Sequence, residues 1–204
     1  MIPEYTVMRV DRPDWTVIPA VRLEHMPWLA PCAVSAQAQV CRDAERLYIR
    51  MEAKERPVRA ELTGLLDQVC EDSCLEFFFA PLADDARYFN FEWNPKGTLF
   101  LGFGAERGRR VRQIVSDTRA LFMPKPFETA EGWGIEFCVP ASFIRLYMPA
   151  FGFAGEAAGN FYKCGEKTQT PHYLAWAKLT SDTPDYHRRQ DFGRLIFEPV
   201  EEDA

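Results

Sequence analysis

Strict two-residue alternation between apolar and polar side chains recurs along most of this chain, and it confines the fold to β-structure with one face of each strand buried. In 33–41, Val34, Ala36, Ala38 and Val40 face one way while Ser35, Gln37 and Gln39 face the other. After the polar connection Arg42 to Arg46, residues 47–53 repeat the pattern, Leu47, Ile49, Met51 and Ala53 opposing Tyr48, Arg50 and Glu52. A strand over 74–79 turns Leu75, Phe77 and Phe79 inward. A hairpin then joins 88–93 to 98–103 through Asn94-Pro95-Lys96-Gly97, a proline and glycine placement that suits a type I turn. Weaker strand signals fall at 4–10, 111–116, 134–139, 160–164, 172–177 and 194–198.

Helical periodicity is nearly absent. Arg59–Gln68 reads as a short helix or a loop, and the segment from Pro140 to Tyr147 as a helical turn opened by proline. The expectation is an all-β, antiparallel β-sandwich of jelly-roll type, about ten strands with one or two short helical turns, forming one domain over 1–204; a closed barrel is the alternative. With 47% hydrophobic residues the 204-residue chain can build a substantial core, which excludes disorder. No apolar run is long enough for a membrane helix, so no membrane partner is expected. The net charge of −6 argues against nucleic acid as a partner, despite the short cluster Arg107, Arg109, Arg110 and Arg112. No secretory signal is apparent, so a cytoplasmic location is expected as written, or an extracellular one if an upstream signal was removed. The six cysteines, at 32, 41, 70, 74, 138 and 164, are accordingly expected to be reduced.

Alternation also describes the face opposite the core. Arg50, Glu52, Glu76, Asn90, Glu92 and Asn94 project to it, with Tyr48, Phe78, Tyr88 and Phe100 on the same side. Rings among carboxylates, amides and a guanidinium suit a sugar, whose C–H face stacks on an aromatic plate while its hydroxyls take planar polar partners. The same residues would equally serve as a solvated outer face.

The run from Val69 through Asp72-Ser73 to Glu76-Phe77-Phe78, then Tyr88-Phe-Asn90-Phe-Glu92, then Pro184-Asp-Tyr186-His187 and Phe192-Gly193, resembles the family 9 carbohydrate-binding modules within the wider DOMON-like β-sandwiches. The resemblance spans roughly Trp15 to Phe197. It implies a jelly-roll sandwich, non-catalytic binding of a terminal sugar or short oligosaccharide between aromatic rings, and calcium ions in some members. Carried over, Glu76 accepts hydrogen bonds from sugar hydroxyls, and Tyr186 and His187 supply one aromatic wall. The other wall falls where this chain has Val69, Cys70 and Glu71, so a ring such as Tyr88 would replace it. The expected saccharide site is thus Arg50, Glu52, Glu76, Tyr88, Asn90, Glu92, Tyr186 and His187. Hard oxygen ligands for calcium are offered by Asp67, Glu71, Asp72, Asp84 and Asp85. Three alternatives remain: a glycoside hydrolase using Glu76 and Glu92 as its carboxylate pair, a DOMON-type haem site from Met51 with His172 or His187, and a protein-interaction sandwich with no small ligand. Trp93 and Trp176 share parity with core positions, and Glu76 and Tyr186 are expected at the surface.

Overall fold

A computed structural model describes residues 2–199. Eleven of the thirteen strands among the described residues lie along one hydrogen-bonded path that curls into two facing sheets, and the other two pair beside it. The strands are β1 (Glu4–Arg9), β2 (Val21–Arg22), β3 (Ser35–Arg42), β4 (Arg46–Lys54), β5 (Cys74–Ala80), β6 (Tyr88–Trp93), β7 (Leu99–Gly104), β8 (Arg110–Arg112), β9 (Lys125–Thr129), β10 (Gly132–Pro140), β11 (Glu156–Cys164), β12 (Tyr173–Ala175) and β13 (Gly193–Phe197). Two five-residue helices, α1 (Thr118–Phe122) and α2 (Ala141–Arg145), flank β9 and β10. The sandwich expected from alternation is therefore present, and the proline-led turn is α2. Arg59–Gln68 is a loop. Two strands, β2 and β9, and helix α1 carry too few alternating positions to announce themselves.

The first sheet runs β8-β7-β6-β5-β11-β13, and the second β3-β4-β10-β9. Strand β1 joins them: Glu4 to Val7 pair in parallel with β13, then Met8 and Arg9 with β3. Aromatic and β-branched residues suit these pleated, half-buried surfaces. Between the sheets, Phe77, Phe79, Phe89, Phe91, Trp93 and Phe161 meet Val40, Ile49, Met51, Ile135 and Phe137. Phe137 lies 5.3 Å from Trp93 and 6.1 Å from Phe91, ring to ring across the gap. Trp176 packs in the same core against Phe161, as its parity predicts. At the β6–β7 turn, Asn94 Oδ1 accepts from the backbone N–H groups of Lys96 and Thr98, while Gly97 takes φ +73°, a conformation open to glycine.

The outer face of the first sheet is not bare. Segments around 59–73 and 165–192 fold over it, and Phe78, Tyr88, Phe100, Tyr162, Tyr186 and Phe192 form a second apolar cluster there. Asp72 pins the first segment, accepting from the backbone N–H of Glu61 and Leu62 and from Asn94 Nδ2. This covered face holds a small polar cavity.

Candidate functional site

Glu76 and Glu92 are directly opposite each other on β5 and β6, both on the outward parity. Neighbouring strands therefore hold two carboxyl groups side by side. The covering segments leave them only 2% and 5% exposed. Burial, reinforced by the neighbouring Glu92, pushes the Glu76 carboxyl well above the usual range. Burial also raises Glu92, to about 7, against the pull of Arg110, whose Nη1 lies 3.8 Å away, and of Asn90. Asn90 donates from Nδ2 to Glu92 Oε1 at 2.8 Å, and its own Oδ1 is buried without a partner. That amide has room because its cross-strand neighbour on β7 is Gly102, where a Cβ would stand 2.4 Å from Asn90 Oδ1.

Above the carboxyl pair is a cavity of about 70 Å³, room for on the order of five waters. Gln68, Cys70, Arg107, Arg110, Cys164, Glu166, Asp185 and His187 contribute its polar lining. Trp28, Tyr173 and Tyr186 supply the aromatic part, with Trp28 5.4 Å from both tyrosine rings. Trp28 is half-buried and anchored by its indole N–H, which donates to the Ser181 carbonyl at 2.8 Å. Tyr173 is half-buried as well, so two rings are partly open at the rim.

Six of the eight residues expected from the sequence lie in this region: Glu76, Tyr88, Asn90, Glu92, Tyr186 and His187. Their roles differ from expectation. Tyr88 is not a free ring; it is 1% exposed beneath Phe78 and Phe192, and its hydroxyl is 2.8 Å from His187 Nδ1. Tyr186 is not at the surface either. It stacks on Tyr162 at 3.9 Å, and its hydroxyl donates within reach of the Lys163 and Leu174 carbonyls, both at 3.1 Å. Glu76 is likewise buried, not surface-facing, and meets open space only inside the cavity. Arg50 and Glu52 do not join the group. They belong to β4 in the second sheet, where Arg50 lies over Phe127 at 4.3 Å and pairs with Glu136. Outward parity is the same on both sheets, which is why strand pattern placed them together. Trp28, Tyr173 and Arg110 were missed; Trp28 sits in a segment without period, where a lone tryptophan beside Pro27 was the available signal.

Four of the five acidic residues weighed for calcium are engaged by the protein itself, and the fifth, Asp84, is exposed. Asp67 accepts from the N–H of Thr63 and Gly64, Glu71 pairs with Lys167, and Asp85 with Arg87. With Asp72 bonded as above, they do not converge as a ligand set among the described residues, so calcium does not fit them. Nor do the haem residues face each other. Met51 is sealed between the sheets, His187 is bonded to Tyr88 outside them, and His172 lies 2.8 Å from Lys163 Nζ. The six cysteines are free thiols.

The family model for carbohydrate-binding family 9 matches residues 4–197. A crystal structure of a protein from Bacteroides uniformis, described provisionally as carbohydrate-binding, superimposes with a TM-score of 0.86 at 27% identity, covering 97% of this chain and 100% of that one. Two structures of a family 9 module from Caldicellulosiruptor kristjanssonii, each 12% identical, share the fold. The complex with cellotriose has a TM-score of 0.69 over 99% of this chain and 97% of that one; the complex with glucose has 0.67 over 99% of each. Among curated proteins, none matches this sequence. No helix among the described residues is long and apolar enough to cross a membrane.

Proposed function

We infer the function from the premise that this chain belongs to carbohydrate-binding family 9: it binds a saccharide and does not cleave it. The cavity over Glu76 and Glu92 receives the end of the sugar. The single observation that supports this placement most is the buried carboxyl pair, side by side and turned toward a small polar cavity with half-open rings at its rim. Carboxyl, amide and guanidinium groups offer planar hydrogen-bonding partners to adjacent hydroxyls, and Trp28 and Tyr173 offer π-faces to C–H groups. A cavity of about 70 Å³ admits the hydroxylated edge of one terminal residue, with the rest of the chain outside.

Calorimetry tests the reading with glucose, cellobiose, cellotriose and a wider panel of mono- and oligosaccharides. Binding of about −4 to −7 kcal/mol, millimolar to about ten micromolar, is expected for at least one of them. Glu76→Gln and Trp28→Ala should each weaken it about tenfold or more, while Arg50→Ala, on the other sheet, should leave it within about twofold. Incubation should release no shorter sugars. A wild type that binds none of the panel, or a Trp28→Ala protein that binds as well as the wild type, would refute the site.

A further inference from the structure

Two thiols and a carboxyl group meet at one end of the same cavity. Cys74 on β5 and Cys164 on β11 are cross-strand partners in register, and Glu76 lies two residues along β5 on the same side. The Cys164 thiol donates to Glu76 Oε1 at 2.9 Å. Cys74 Sγ, Cys164 Sγ and one Glu76 oxygen all lie within 4.8 Å of one another. Metal–sulfur bonds of ~2.3 Å at a tetrahedral angle place two sulfurs ~3.8 Å apart, so only a small adjustment would let one ion touch all three.

We propose that Cys74, Cys164 and Glu76 form a site for one thiophilic divalent metal ion of the Zn²⁺ type. Three protein ligands are in place, and the fourth position faces the cavity, since Glu76 and Cys164 both line it. The cavity also provides a path by which a hydrated ion reaches the ligands. On binding, the two S–H protons and the proton that burial keeps on the Glu76 carboxyl leave to solvent, and the sulfurs bind as thiolates and Glu76 as a carboxylate. The charge balance favours the ion: Glu76 and Glu92 are buried together, and the nearby cation Arg110 is at Glu92. Two sulfurs and one oxygen select a borderline-soft ion over calcium or magnesium, which prefer oxygen alone. Glu76 then serves metal and sugar in turn, so zinc should weaken saccharide binding; this consequence alone rests on the function proposed above.

The test uses the full chain, reduced and stripped of metal, titrated with Co²⁺ without oxygen. One equivalent should produce tetrahedral ligand-field bands together with near-ultraviolet thiolate-to-cobalt absorption, and one equivalent of Zn²⁺ should abolish both. Cys74→Ser and Cys164→Ser should each lose the thiolate absorption, whereas Cys32→Ser, outside the cavity, should keep it. Should a serine variant fail to fold, thiol alkylation of the wild type mapped by mass spectrometry decides instead: Zn²⁺ should protect Cys74 and Cys164 but not Cys32. Octahedral, water-like cobalt spectra with the folded wild type would overturn the proposal. So would a thiolate signal that survives both substitutions, alkylation unaffected by Zn²⁺, or a Cys74–Cys164 disulfide that takes no metal. Glucose binding that persists while cobalt fails would refute the metal site and leave the sugar site standing.

Discussion

Acid should loosen this fold through His172, and replacing His172 with glutamine should blunt the response. Lys163 shares the core-side parity of Phe161 on β11 and is fully buried, an unusual place for an ammonium. Its three protons have three acceptors: the Cys164 carbonyl at 2.6 Å, His172 Nε2 at 2.8 Å and Glu55 Oε2 at 3.1 Å. Glu55 follows β4, so this ion pair ties the two sheets, and it also accepts from Trp133 Nε1 at 3.2 Å. Because Lys163 can only donate, His172 Nε2 must accept, and Nδ1–H donates to the Thr170 carbonyl at 2.7 Å. The imidazole is therefore held neutral. Burial and then the Lys163 charge depress its pKa to about 4, against the opposing pull of the Thr170 carbonyl and Glu55. The unfolded chain, titrating near 6.5, takes up the proton first as pH falls. This contribution is fully present above about 6.5 and is lost between 6.5 and 4, at ~1.36 kcal/mol per unit, hence about 3 kcal/mol in all. His172→Gln keeps an acceptor for Lys163 and removes the titration. Other carboxyl groups also respond to acid, so the quantity to measure is the difference between the two proteins, by urea unfolding followed through tryptophan fluorescence at pH 7 and pH 4. The wild type's advantage at pH 7 should shrink by about 3 kcal/mol or reverse, equivalent to roughly 6–12 °C in Tm for a domain of this size. Stability–pH curves that run parallel would refute the neutral, buried assignment.

Two further outcomes follow from the packing. Phe77→Ala should cost ~3–5 kcal/mol, because its ring is wholly buried and lies 5.1 Å from Phe161 and 5.5 Å from Phe79; a thermal shift of a degree or two would contradict that. Gly102→Ala should push the Asn90 amide off Glu92 and reduce saccharide affinity about tenfold, the scale of one hydrogen bond to a charged group; unchanged calorimetric binding in the folded variant would show that Asn90 does not organise the site.

Strand parity carried most of the fold. β3 through β7 read directly from alternation, because each buries one face against the opposite sheet and apolar residues, from Ala and Val to Phe and Trp, mark that face without interruption. β2 has two residues and β9 five, of which two are Lys125 and Pro126, so neither could repeat the pattern long enough to be seen. The outward face of the first sheet was harder. Phe78, Tyr88 and Phe100 have outward parity yet are buried, because loops that carry no periodic signal fold over them and make a second apolar layer. A sequence reading that treats outward as exposed will call such residues free rings.

The same ambiguity explains how the expected site divided. Arg50 and Glu52 precede Glu76 by a single strand in the order of the chain, and alternation gives them identical standing. The intervening segment 55–73 crosses from the second sheet to the outer side of the first, and parity carries no record of that crossing. Glu76, Asn90 and Glu92 stayed together because β5 and β6 are joined by a short connection and pair in register, the one circumstance in which neighbouring in sequence guarantees neighbouring in space. Trp28 and Tyr173 came to the same cavity from irregular segments, through long-range contacts such as the bond from Trp28 to the Ser181 carbonyl. The carboxyl floor of the site was thus legible from local pattern, and its aromatic rim was not, because the rim is made by chain crossings and the floor by a hairpin.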